Sequence, residues 1–208
     1  MTLRAISLAS LAVLATSSAF AVPAGSWSVG VGAAYVDPQS DASPLAGGDL
    51  QATVDEDVKP SLTLEYFPMN NVGVEVLAAW PFEHDINLDG QYAGKTKHLP
   101  PTVSVNYHFD GLNSRIKPFV GVGVNYTTFW GERLYAVPDA SLELDDSVGV
   151  AGNVGVDFKL NATDALRLNA RYIDLKTDAT MTVNGQSTNL GEVDISPWVY
   201  GVSYVKSF

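Results

Sequence analysis

The chain has 208 residues, no cysteine and a formal net charge of −11, with 46% hydrophobic and 17% charged residues. Without cysteine there is no disulfide framework, and an acidic balance argues against nucleic acid as a partner. The length suits one domain.

Arg4 precedes an apolar run from Ile6 to Leu14, and small residues lead to Ala19-Phe20-Ala21, an A-x-A cleavage signal that makes Val22 the first mature residue. The run is shorter than the ~20 residues a helix needs to cross a bilayer. Residues 1–21 therefore read as a cleaved export signal, and 22–208 as a single exported domain. Loss of Arg4 leaves 11 basic against 23 acidic residues, a charge of −12.

The mature chain then shows eight stretches of period-two alternation. They fall near Ser26 to Asp37, Asp57 to Phe67, Val72 to Phe82, Thr102 to Phe109, Lys117 to Trp130, Ser147 to Leu160, Ala165 to Lys176 and Asp194 to Phe208. Connections alternate in length: Pro68 to Asn71, Asp110 to Ile116 and Asn161 to Asp164 are short, whereas Pro38 to Glu56, Glu83 to Pro101, Gly131 to Asp146 and Thr177 to Val193 are long. This predicts an all-β fold, an eight-stranded antiparallel up-and-down transmembrane β-barrel with short periplasmic turns and long extracellular loops. A short amphipathic helix is expected within the third long loop, around Pro138 to Leu144.

One face of each strand is apolar, with aromatics at the ends. Examples are Trp27, Val29, Val31, Ala33 and Tyr35 in the first strand and Trp198, Tyr200, Val202, Tyr204, Lys206 and Phe208 in the last. A soluble lipocalin-like barrel would turn these faces inward. Its exterior would then carry Gly30, Gly32, Gly73, Gly121, Gly123, Gly149 and Gly155 with few charges. Glycines fit better in the crowded lumen of a small barrel whose apolar face meets lipid.

The inward face holds Glu65, Glu75, Asp157, Lys159, Arg167 and Arg171. Glu65 and Glu75 lie symmetrically about the first short turn and need cations, for which Arg167 and Arg171 are suited because a guanidinium grips carboxylates through parallel hydrogen bonds. A structural charge network filling the periplasmic half of the lumen is expected rather than a catalytic pair. Leu77, Ala79, Phe119 and Ile173 also point inward by phase, as a hydrophobic lining or constriction between the loops and the charged floor, or as lumen packing.

Proline marks the loop ends of adjacent strands: Pro60 in the second, Pro81 in the third, Pro100 and Pro101 before the fourth. Proline lacks the amide that would join a neighbouring strand. The expectation is a weakened wall through which an apolar solute leaves the lumen sideways, against the simpler reading of strand ends just above the membrane. His84, Asp85 and His98 flank one long loop. They lack the compact spacing of a metal site and the ordered partners of a nucleophilic enzyme, so no enzyme, metal or cofactor is expected.

Five segments, GVEVLAAWPF (Gly73 to Phe82), HLPPT (His98 to Thr102), PFVGVGVNYTTFW (Pro118 to Trp130), AGNVGVDF (Ala151 to Phe158) and PWVY (Pro197 to Tyr200), resemble the outer membrane protein W family in the same order. The resemblance implies a Gram-negative outer-membrane barrel with a narrow, largely hydrophobic passage for small apolar molecules, discharged sideways into the membrane. It also implies lipid and lipopolysaccharide as surroundings, and the barrel assembly machinery as a partner that reads Tyr204 and Phe208. Barrels of this type usually carry an aromatic or apolar residue where this chain has Lys206, which puts assembly efficiency in question. The competing functional reading is a structural or receptor barrel with a plugged lumen and interacting loops.

Overall fold

The computed structural model describes residues 21–39, 43–45, 50–88, 90–110, 115–135 and 139–208. The expected export signal lies outside them except for Ala21. Alternation of small or polar with large apolar side chains makes strands of most of the described residues. In chain order they are β1 (Trp27–Asp37), β2 (Ser43–Leu45), β3 (Leu50–Val54), β4 (Asp57–Met69), β5 (Val72–Ala79), β6 (Phe82–Leu88), β7 (Gln91–Leu99) and β8 (Thr102–His108). There follow β9 (Ile116–Leu134), β10 (Ala140–Leu144), β11 (Ser147–Lys159), β12 (Asp164–Ile173), β13 (Lys176–Val183), β14 (Gln186–Asp194) and β15 (Trp198–Ser207).

Eight of these close an antiparallel barrel in the order β1-β4-β5-β8-β9-β11-β12-β15, with β15 returning to β1. Closure leaves no unpaired edge in lipid, where an unsatisfied amide or carbonyl costs several kcal/mol (roughly). The last strand pairs with the first from Ser28–Ser207 to Asp37–Trp198. At the periplasmic end Asn71, at φ 63°, completes the two-residue turn between β4 and β5. Its side chain accepts the Val22 amide at 2.7 Å and donates to Asp110 at 2.8 Å, tying the start of the domain to two turns.

The outer face is as phase predicts. Val31, Leu62, Val76, Val103, Val122, Val150, Leu168 and Val202 are exposed and form an apolar band. Trp27 packs on Tyr66 at one rim, centroids 4.5 Å apart, and Tyr35 on Tyr200 at the other, at 6.2 Å. These are the two aromatic girdles of a membrane barrel.

The extracellular connections depart from expectation. Most of their described residues are strands, because polar and apolar residues alternate there too. β6 and β7 form a hairpin whose second arm pairs with the long β9, so one side of the wall continues above the membrane. β10, β13 and β14 form a separate three-stranded sheet. No helix forms over Ala140 to Leu144: this is β10, whose Leu142 and Leu144 step by two and pack on the apolar interior, and Pro138 lies outside the described residues.

Candidate functional site

The lower lumen is closed by a charged floor. Glu65 and Glu75 are direct partners across the β4–β5 hairpin. Arg167 on β12 reaches both: Nη2 donates to Glu65 at 3.1 Å and Nη1 to Glu75 at 2.8 Å, while Nε and Nη2 grip Asp157 on β11 at 2.7 and 3.0 Å. Arg171, two pleat repeats higher on β12, donates from Nη2 to Glu75 at 2.6 Å, and its Nε and Nη1 are buried without a hydrogen-bond partner among the described residues. Every member is nearly sealed from solvent. Such burial costs several kcal/mol (roughly) per ion, and multiple hydrogen bonds offset it.

Two floor residues escaped the reading from sequence. His108 Nε2 donates to Glu65 at 2.8 Å, and Asn106 Nδ2 donates to the same oxygen at 3.1 Å. Their signal was phase: both alternate with the outward Val105 and Tyr107 on β8. Phe119 was expected above the floor but lies within it. Arg167 sits 4.6 Å from the centre of its ring and His108 stacks on it at 5.0 Å. Lys159 does not join the network; among the described residues no ion pair links it to a carboxylate, and it borders the lumen below with Lys117. Small cavities of about 20 Å³ lie directly beneath and above Arg167, each with room for about one water.

Above the floor the interior turns apolar. Ala34, Val36, Phe82, Phe129, Ile173, Leu175 and Val199 form one buried cluster, with Ala79 packed against it. Leu77 borders the cavity over Arg171, between charge and cluster. His84 and His98 enter the same region from β6 and β7, stacked at 4.9 Å. Burial pushes the His98 imidazole down to about 3, the neighbouring His84 adding to it, and burial lowers His84 as well. His84 Nδ1 meets the Asp55 carbonyl at 2.5 Å, so that nitrogen carries the proton, and Asp85 points to the opposite, exposed face. The three do not converge, and among the described residues no group of three or more His, Cys, Asp or Glu side chains is placed to hold a metal ion.

The prolines bear on the wall at this height. The β5–β8 ladder ends at Leu77–Thr102, and pairing resumes between β6 and β7 at Phe82–His98. Between them lie Pro81, Pro100 and Pro101. The carbonyls of Pro100 and Pro101 accept the Asn125 side chain at 3.1 and 3.2 Å, and that of Pro101 also accepts the Tyr126 amide of β9 at 3.0 Å. The interruption is narrower than expected: Pro60 keeps its register with Ala33, and its carbonyl accepts the Trp80 amide at 2.9 Å. A groove of about 420 Å³ opens here, lined by outward Trp80, Glu83, Lys97 and Trp130 together with Lys59, whose strand neighbours Ser61 and Thr63 face the lumen.

This architecture recurs in known proteins. Residues 23–208 match the OmpW family model. Outer membrane protein W of Vibrio cholerae is 37% identical, over 94% of each chain. Outer membrane protein AlkL of Ectopseudomonas oleovorans is 30% identical over 82% of this chain and 77% of its own. The dibenzothiophene metabolism operon protein PahQ of Pseudomonas aeruginosa is 28% identical over 58% of this chain and 56% of its own. The crystal structure of the outer membrane protein OprG from Pseudomonas aeruginosa superposes with a TM-score of 0.79 at 34% identity, covering 89% of this chain and 97% of that one. The chain belongs to the OmpW family of outer-membrane β-barrels.

Proposed function

We propose that the protein is a channel for passive uptake of small hydrophobic molecules, which enter the apolar upper lumen and leave sideways into the bilayer between β5 and β8. One observation carries this reading: the ladder is interrupted at Pro81, Pro100 and Pro101 directly above a floor sealed by Arg167. A solute that reaches Leu77 and Ile173 meets charge below and lacks a continuous hydrogen-bonded wall beside it. Apolar solutes gain by passing into lipid, at roughly 25 cal/mol per Å² removed from water. The name of PahQ, a relative from a dibenzothiophene metabolism operon, points to the same solute class. Lipopolysaccharide and phospholipid surround the band, and the assembly machinery acts on the C-terminal strand.

The test is uptake of an apolar solute into vesicles containing the protein, comparing the natural chain with one carrying Pro81→Ala, Pro100→Val and Pro101→Val. Restored pairing should slow uptake several-fold; an unchanged rate rejects the lateral exit. The sealed floor also favours a plugged structural or receptor barrel, and that reading requires no solute flux through the natural protein.

A further inference from the structure

Arg171 stands at the boundary between the charged floor and the apolar cluster, and its guanidinium is only partly engaged. Nη2 donates to Glu75, while Nε and Nη1 are buried with no hydrogen-bond partner among the described residues. The residue is 1% exposed. Its neighbours in register do not supply the acceptors. Val199 on β15 has none in its side chain, and the Asn153 oxygen on β11 accepts Asn169 Nδ2 at 3.3 Å. Donors left unpaired away from water are costly, so the place favours an incoming acceptor.

Arg171 lines the cavity of about 20 Å³ above Arg167, together with Ser61, Thr63 and Leu77. Ala34 and Val199 line it too, and both belong to the apolar cluster. Ile173, one pleat repeat above Arg171 on β12, is a further member of that cluster. The bottom of the upper lumen thus joins hydrogen-bond donors to an apolar surface. This is the layout of a site for a molecule with an apolar body and one polar end.

Volume and charge restrict that end. The cavity has room for about one water, which suits one oxygen atom rather than the two of a carboxylate. Arg171 already faces Glu75, and Arg167 faces Glu65, Glu75 and Asp157, so neither guanidinium is left as the sole partner of a new anion. A buried carboxylate needs such a partner. A carbonyl oxygen needs only a donor, and it can replace a water at Arg171 while keeping the hydrogen bond, which a hydrocarbon cannot. We propose that Arg171 forms a subsite for the carbonyl oxygen of a neutral hydrophobic molecule, so that the lumen favours solutes ending in a carbonyl over plain hydrocarbons and over carboxylates. The inference rests on the solute-uptake reading for the route by which such a molecule arrives.

The experiment uses the natural protein in bilayer discs, with nitrogen-15 in its arginine side chains. Residues 22–208 hold four arginines, so the Arg171 signals are separable by NMR. 2-Octanone should shift the Arg171 Nε signal saturably, octane at the same lipid fraction should leave it in place, and octanoate should bind more weakly than the ketone. Arg171→Lys keeps a charge beside Glu75 but loses Nε and Nη1. It should weaken 2-octanone binding, followed through the carbonyl carbon-13 signal, roughly tenfold, the loss of one hydrogen bond to a charged donor. Leu77→Phe, which fills the cavity from β5 and leaves Arg171 in place, should do the same and serves if the first variant does not fold. No shift with 2-octanone overturns the proposal, as does an equal shift with octane, tighter binding of octanoate, or undiminished ketone binding to the folded variants. Solute flux with an Arg171 signal indifferent to every probe rejects the subsite alone. An Arg171 response without flux rejects the uptake reading alone.

Discussion

Arg167 and Glu75 meet across the full width of the lumen, Nη1 to Oε2 at 2.8 Å, from strands β12 and β5 that stand four places apart in an eight-stranded ring. One guanidinium thereby braces opposite walls and pairs with three carboxylates. Replacing Arg167 by Met would leave Glu65, Glu75 and Asp157 buried with reduced compensation, and should cost about 3–5 kcal/mol of stability. Arg167→Lys, which keeps the charge but not the fork, should fall between. Urea unfolding in lipid vesicles measures both.

Two glycines on opposite faces give a packing test. A Cβ on Gly32, inside the barrel, would lie 2.0 Å from the Val202 carbonyl oxygen and 2.6 Å from the Ser203 Cα, both backbone atoms. Gly32→Ala should therefore destabilise by about 1–3 kcal/mol. A Cβ on the lipid-facing Gly152 meets nothing within 4 Å, and Gly152→Ala should be neutral within about 0.5 kcal/mol. The same unfolding assay compares them.

The stacked pair His84 and His98 should make the extracellular hairpin sensitive to acid. Burial keeps both imidazoles neutral, and His98 is pushed down to about 3 from its usual 6.5. Between those values the unfolded segment binds more protons than the folded one, so local stability rises with pH through this window and is lost as pH falls from 6.5 toward 3. At about 1.4 kcal/mol per pH unit, the total is a few kcal/mol. Amide exchange in β6 and β7 should quicken across that range, and His98→Phe should flatten the response. Exchange independent of pH, after correction for intrinsic rates, counts against it.

At the C-terminus, Lys206 is not stranded in lipid: its ammonium meets Asp164 at 2.8 Å and the Thr163 hydroxyl at 3.0 Å while its stem stays along the wall. Lys206→Tyr should leave assembly nearly unchanged, whereas deletion of the exposed Phe208 should reduce the folded fraction in the outer membrane several-fold. Quantifying folded barrel in membrane fractions distinguishes the two.

The period-two pattern determined, from sequence alone, the eight membrane strands, their inward and outward faces, the girdles and the turn ends, because a strand's side chains alternate whatever it pairs with. Phase likewise placed Glu65, Glu75, Asp157, Arg167 and Arg171 inside. His108 was equally legible by phase but lay hidden between Tyr107 and Phe109.

Only the tertiary structure decided what faces what across the lumen. Phe119 and Ile173 share an inward phase, yet one lies near the periplasmic start of β9 and the other at the far end of β12, where it aligns through Ala151 with Gly123, so the first falls in the charged floor and the second in the apolar cluster. The strand pairing likewise showed that Pro60 keeps its register with Ala33 while the β5–β8 ladder stops short of Pro81, Pro100 and Pro101, of which Pro101 still accepts the Tyr126 amide of β9. The strands above the membrane were missed although Phe82, His84 and Ile86 alternate with polar residues, because the stretches are short and pairings such as Lys95 with Arg133 are brought together by the fold rather than by proximity in the chain.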